Sequence, residues 1–229
     1  MKDPILITGC ARSGTSMTAG IINICGAFGG DMFGPNKNNQ KGMFENKEIR
    51  QNLVKAYLRK IGADPLGQNP LPNKRQVFEV NDREAMEWRS RIQSIIQHQG
   101  YIDGDWFYKG AKSCLYWYLW HLAFPNAKWV IVRRNAQDIA NSCMRTSFMR
   151  AYKNKEGWIK WVDIHKRRFE EMKIAKLDVI EFWPSLVING DFKHIEELTD
   201  FLGLEYKKNE QLLRSFIDPS LYRSGVVNG

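Results

Sequence analysis

The segment "ILITGCARSGTSMTAGII", residues 5 to 22, constrains the fold more than any other part of the chain. Ile5, Leu6 and Ile7 form a short apolar run that stops at Gly9. From Ser13 onward small and apolar residues, among them Met17, Ile21 and Ile22, recur at helical spacing. The pattern predicts a buried strand, a tight turn and a helix in immediate succession. Glycines at positions 9 and 14 let the amides of the turn converge, and the helix adds its unbonded N–H groups and the positive end of its dipole. A turn of this kind is a nest for a phosphate-like anion.

Gly9, four residues, Gly14 and then Ser16 match the spacing of the phosphate loop in nucleotide hydrolases. Those loops carry a Lys that reaches the β and γ phosphates. Here Thr15 occupies that position, and the nearest cation, Arg12, lies inside the loop. The expected ligand therefore carries fewer charged groups than a triphosphate, with its reacting end at Arg12.

A second turn of the same kind follows "AKWVIVRR". Trp129 to Val132 form a continuous apolar run, as central parallel strands do, and the run ends in Arg133 and Arg134. "NAQDIANSCMRTSF" then resumes helical spacing, with Asn135 as the expected N-cap. Arg134 can pair bidentately with a phosphate, and Ser142, eight residues on, can add a hydroxyl. A salt bridge from Arg134 to Asp138 is the structural alternative.

Between these turns, "GAFGGDMFGPNKNNQKGMFEN" reads as a long loop over one edge of the molecule, and long loops in compact domains are often functional. A helix from Asn46 follows, with Ile49, Leu53, Tyr57 and Ile61 on one face. "GADPLGQNPLPNKRQ" breaks it with three prolines and is expected to be mobile. Residues 82 to 98 read as a polar helix with an apolar stripe, "DWFYKG" as a second strand and "SCLYWYLWHLAF" as a buried crossover helix. A long helix through Trp158, Trp161, His165 and Phe169 follows, with His165 read as a core residue. "SLVING" is expected to supply the last strand and "DFKHIEELTDFLG" an amphipathic helix stopped by Gly203. Strands separated by helices imply an α/β fold, a central parallel sheet flanked by helices, with ligands at the carboxyl ends of its strands.

At 229 residues and 43% hydrophobic content the chain can bury one sizeable core, so a single domain over residues 1 to 229 is expected. No apolar stretch approaches the roughly 20 residues of a membrane span, and the first is too short for a secretion signal. A cytoplasmic protein without a membrane span is the expectation. The four cysteines and four histidines show neither disulfide nor zinc spacing. A formal charge of +9 favours anionic partners. Basic and acidic residues are interleaved, and no basic tail or RNA-binding motif points to nucleic acid.

"ARSGTS" after a strand resembles the 5′-phosphosulfate loop of sulfotransferases that use 3′-phosphoadenosine 5′-phosphosulfate (PAPS). "VRRNAQDIANS" is similar to their 3′-phosphate motif, and the two stand in the family's order. "KGMFEN", "YKGAK" and "NGDF…LTDFLGL" extend the likeness, which is closest in pattern to bacterial and carbohydrate-type members. The resemblance implies a three-layer fold like that of P-loop hydrolases and PAPS as co-substrate, with no metal. The acceptor, a small molecule or carbohydrate, is not specified by the motifs, but the polar and cationic loops "GGDMFGPNKNNQKG" and "ADPLGQNPLPNKRQ" favour a carbohydrate or other anionic acceptor over a flat apolar phenol. It also implies that Ser13, Gly14, Thr15 and Ser16 hold the 5′-phosphosulfate, with Arg12 at the bridging oxygen and Lys109 helping to offset charge. Arg134 and Ser142 would hold the 3′-phosphate, joined by Arg223 of "YRSG".

The cytosolic branch carries its catalytic His two residues after a Lys, where this chain has Ala111. Members acting on carbohydrates or protein tyrosines use a Glu, and Glu45 of "GMFEN" is the candidate base, expected to have a pKa raised by partial burial. An acid at that place also serves a helix dipole. Asp31, Asp103 and Asp105 are the reserves. A nucleotide kinase or hydrolase is disfavoured by Thr15 and by the arginines that end the "WVIV" strand. A non-catalytic binder of sulfated or phosphorylated ligands is the other alternative.

Overall fold

The computed structural model describes residues 1 to 221. Four parallel strands form its sheet: β1 (Ile5–Gly9), β2 (Phe107–Lys109), β3 (Lys128–Val132) and β4 (Val179–Phe182), in the order β2-β1-β3-β4. Gly9 pairs with Val132, so the glycine turn and the arginine turn leave the sheet side by side. The chain leaves β1 toward β2 on one side and then crosses to β3 on the other. The crevice beyond β1 and β3 is therefore the topological switch point.

The alternation of side chains along β1 divides the core. Ile5 and Ile7 join one apolar layer with Ile21 and Ile22 of α1 (Thr15–Ile24), Ile195, Leu198 and Leu202 of α9 (Lys193–Leu202) and Leu213 of α10 (Glu210–Phe216). Leu6 joins the other with Tyr108, Trp129 and Ile131 and the residues of η1 (Ile49–Val54), α2 (Lys55–Lys60), α4 (Asp82–His98), α5 (Trp117–Ala123), α6 (Ala136–Met144) and α7 (Lys155–Ile174). The second layer is aromatic: Tyr108 stacks on Trp120 with ring centroids 5.0 Å apart, and Trp88 meets Trp120 edge to face. Helix, sheet and helix make a three-layer α/β architecture, with the parallel sheet expected from the strand and helix pattern and the layering implied by the resemblance.

Local signals hold at several ends. Asn135 caps α6 by accepting from the amides of Gln137 and Asp138, and Gly203 closes α9 in the left-handed conformation. The last strand is different. β4 is "VIEF", and "PSLVI" is the short helix α8 (Pro184–Ile188). Proline at the start of α8 pre-sets a helical first turn, whereas Glu181 makes β4 a half-exposed edge that bonds Arg133 and Lys173.

The proline-rich segment expected to be mobile is anchored. Asp64 accepts from the amides of Leu66 and Gln68, and the buried Gln68 side chain bonds the backbone of Phe148, Arg150 and Ala151. Trp161 Nε1 donates to the Gly67 carbonyl at 3.0 Å, Arg168 donates to that of Pro72, and Asn73 opens α3 (Lys74–Phe78) with a capping box. Backbone groups freed by the prolines are thus satisfied by distant side chains.

Candidate active site

The turn after β1 has no room for side chains at its glycines. A Cβ on Gly9 would lie 2.7 Å from the Val132 carbonyl oxygen. One on Gly14, at φ 102°, would lie 2.7 Å from Pro184 Cγ. Gly14 caps α1 without any side-chain bond, so the amides of the first turn keep their donors for a ligand. Ser13 is fully buried with its Oγ unbonded among the described residues, and Thr15 is buried. Ser16 Oγ donates to Asn39 Oδ1 and Met43 O, which brings the long loop over the turn.

The second turn sorts its two arginines. Arg133 turns back to Glu181 at 3.1 Å and lies over the Phe169 and Trp183 rings, a structural role. Arg134 Nη1 donates to the backbone carbonyl of Arg12 at 2.9 Å. The Arg12 side chain in turn crosses to α6, where Nε donates to Ser142 Oγ at 3.1 Å and Nη1 to Asn38 O. The Arg12 guanidinium, which the family resemblance assigned to a bridging oxygen, lies against Ser142 of α6. Burial, then Arg134 and Arg145, lower the Arg12 pKa, as expected of a guanidinium facing other cations.

Glu45 and Lys109 meet although 64 positions apart. Lys109, buried at the end of β2, donates to Glu45 Oε1 at 3.1 Å, and Arg50 Nε lies 2.5 Å from Oε2. Burial alone would raise the carboxyl, but Lys109, Lys112 and Arg50 outweigh it and hold Glu45 at about 2. This reverses the expected direction, because the burial was foreseen and the cations were not. Lys112 itself is pushed down to about 8 by burial and by Arg50, Lys109 and Lys55, with Glu45 opposing.

These groups line one cleft of about 790 Å³. Its apolar lining draws on both core layers, with Met17, Ile188 and Phe216 from one and Trp161 from the other, and on the exposed Leu66 and Phe148. Apolar and aromatic side chains beside a cluster of cations suit a ligand that carries both an apolar ring and anionic groups. His165 also lines the cleft, is buried and donates from Nδ1 to the Trp161 carbonyl at 2.9 Å, which leaves its Nε2 an acceptor. Burial lowers its pKa to about 4, so it is neutral.

Arg12, Gly14, Thr15, Ser16, Glu45, Lys109, Arg134 and Ser142 all line this cleft, and Ser13 lies buried behind them. Asp31 is instead exposed beside Lys47, and Asp105 pairs with Lys2, so neither reaches the cleft; Asp103 is not among its lining residues either. Arg223 lies outside the described residues. Sequence reasoning missed Arg50, Lys112, Gly67 and Trp161 as parts of the site, and read His165 as core alone. Only the "YKGAK" spacing, which sets Lys112 three residues beyond Lys109, carried any hint of them.

No protein-family model matches the chain, and no curated protein matches its sequence. Solved structures do match. A sulfotransferase, STF9, from Mycobacterium avium superposes with TM-score 0.59 at 11% identity, over 94% of this chain and 67% of that one. The sulfotransferase domain from the curacin biosynthetic pathway gives 0.57 at 13%, over 99% and 81%. The sulfotransferase domain of the Synechococcus PCC 7002 olefin synthase gives 0.56 at 13%, over 97% and 87%. The chain has the fold of the sulfotransferases. Among the described residues no helix is long and apolar enough to cross a membrane, and no group of three His, Cys, Asp or Glu side chains is placed to hold a metal ion.

Proposed function

We propose that this chain is a sulfotransferase, a single domain over residues 1 to 229, that moves the sulfuryl group of PAPS to a hydroxyl or amine of a small-molecule or carbohydrate acceptor. The observation that carries the reading is the union of two anion-binding turns in one cleft: Arg134 bonds the Arg12 carbonyl and Arg12 bonds Ser142. PAPS has a phosphate at one end and a phosphosulfate at the other, and it needs no Lys after Gly14. Met17, Ile188 and Phe216 offer an apolar bed for its base. The pattern of members that act on carbohydrates or protein tyrosines, which use a Glu, supports Glu45 of "KGMFEN" as base. The four buried free cysteines support a reducing, cytoplasmic setting.

In the transfer, the acceptor oxygen or nitrogen attacks sulfur in line, the bond from sulfur to the 5′-phosphate oxygen breaks, and 3′,5′-adenosine bisphosphate leaves with that bond's electrons. The acceptor proton passes to Glu45. Lys109 stands next to Glu45 and can turn to the sulfuryl oxygens, where charge stabilisation in a loose transition state is the protein's main task. A sulfuryl group drawn onto Lys109 loosens that cation's hold on Glu45 and raises the carboxylate's basicity when it is needed. No metal enters this scheme.

The test is incubation with sulfur-labelled PAPS and a panel of alcohols, phenols, amines and saccharides, read by mass spectrometry. Labelled product with release of the bisphosphate supports the reading. One observation favours a second reading: both Glu45 oxygens are engaged by cations, as in a binder of sulfated or phosphorylated ligands. Tight bisphosphate binding with no transfer to any acceptor would select it. Stabilisation by ATP and magnesium above the bisphosphate would overturn both.

A further inference from the structure

We infer that Lys112 reads a negative charge on the acceptor, so that the preferred acceptor carries a carboxylate, sulfate or phosphate close to the group being sulfated. The inference deepens the sulfotransferase reading and rests on it.

Lys112 stands in the turn after β2 and lines the cleft, yet its ammonium makes no hydrogen bond or direct ion pair with any described residue and only feels the Glu45 carboxylate from farther off. The nearby carboxylate is already committed: Glu45 holds Lys109 with one oxygen and Arg50 with the other. Lys112, Lys109, Arg50 and Lys55 thus gather about one acid, and the depression of the Lys112 ammonium to about 8 records the cost. A cation held beside other cations, partly out of water and without a partner, is costly for the fold and is relieved by an incoming anion. Arg145, on the rim of the same cleft, likewise has no carboxylate partner among the described residues.

The placement of Lys112 indicates which substrate brings that anion. A Cβ on Gly67 would lie 3.0 Å from Lys112 Cβ and 3.2 Å from its Cδ, so the lysine stem runs along the Gly67 backbone. Gly67 is held by Trp161 and flanked by Leu66 and Gln68, whose side chain carries the Phe148 segment. Its anchor Trp161 belongs to the core layer on the opposite face of the sheet from Met17, Ile188 and Phe216, and Leu66 and Phe148 line the cleft beside it. The anions of PAPS have their own donors in the first turn of α1, in Arg12 and Ser142, and in Lys109. Lys112 is left to the other substrate.

Matched acceptors that differ in charge test this. Methyl β-D-glucuronide is compared with methyl β-D-glucoside, and 4-hydroxyphenylacetate with 4-hydroxyphenylethanol, both for turnover and for binding by calorimetry to protein saturated with 3′,5′-adenosine bisphosphate. At least one anionic member is expected to bind tenfold or more tightly than its neutral partner and to show a correspondingly lower KM. Lys112→Gln is expected to bring the two members of that pair within about threefold, with the loss in KM rather than kcat, and Lys112→Arg to restore the gap. Equal affinities in wild type, a gap that survives Lys112→Gln, or an equal loss of kcat on both members would each overturn the assignment, the last by giving Lys112 to the sulfuryl group. If no acceptor is turned over, the sulfotransferase reading fails, while calorimetry on the same pairs still decides whether Lys112 selects anions.

Discussion

Arg12 Nε donates to Ser142 Oγ across 130 positions of sequence, at 3.1 Å, and thereby ties the phosphate turn after β1 to the helix after β3. The two turns proposed to hold anions thus share a side chain. A double-mutant cycle measures that sharing. Arg12→Ala and Ser142→Ala are each expected to weaken 3′,5′-adenosine bisphosphate binding, Arg12→Ala by about tenfold or more, since charge-assisted bonds contribute roughly 1.5–3 kcal/mol. The double variant should lose less than the sum, with a coupling of about 1 kcal/mol by calorimetry. Strict additivity would mean that the two groups serve different parts of the ligand.

The nucleotide order tests both turns together. In thermal unfolding, 3′,5′-adenosine bisphosphate is expected to stabilise more than AMP, ADP, or ATP with magnesium, because it alone fills both sites. A hundredfold affinity gap corresponds to roughly 2–3 kcal/mol at saturating concentration. Arg134→Ala, which also removes the bond to the Arg12 carbonyl, should erase the preference over AMP.

Acid unfolding should proceed through two successive windows that meet near pH 4. Unfolded His binds its proton near the ordinary 6.5, whereas folded His165 waits until about 4, so stability falls as pH drops between those values. Folded Glu45, at about 2, lies below the ordinary 4.5, so the stability it adds is present above that value and is lost as pH falls toward 2. Each window is worth up to about 3 kcal/mol. In urea unfolding across pH, His165→Gln should flatten the upper window and Glu45→Gln the lower. An upper window unchanged by His165→Gln would show that the imidazole is not held neutral.

Gly67→Ala should destabilise the protein by about 1–2 kcal/mol, since the residue has φ 72° and its new methyl would press on the Lys112 stem. The same variant is expected to raise acceptor KM while leaving bisphosphate affinity within threefold, measured by steady-state kinetics and calorimetry. Loss of nucleotide binding would place Gly67 on the wrong side of the cleft.

The parts of this molecule that could be read from sequence are those built by neighbours along the chain. β1, its glycine turn and α1 are one such unit, and β3, Arg134, Asn135 and Ser142 another, because strand, cap and donor follow in order. β4 was hidden since "VIEF" is a half-exposed edge, and the more apolar "SLVI" beside it drew the strand assignment that Pro184 should have redirected to a helix. Glu45 and Lys109 were each recognisable through their motifs, but their contact was not, and neither was Arg50 on the far oxygen. Without those partners, burial alone predicts a raised carboxyl, the reverse of what the pair produces. Lys112, Gly67 and Trp161 come together only through the folded path of a proline-rich segment.

That path has a consequence for how such a chain could change its substrate. Leu66 and Gly67, Lys112, and Phe148 with Trp161 come from three stretches that bind one another before they bind anything else. Swapping one stretch for that of a relative would break the joints with the other two. Retargeting this cleft would require concerted change in all three, while the two strand-end turns, joined to each other through Arg12, could stay as they are.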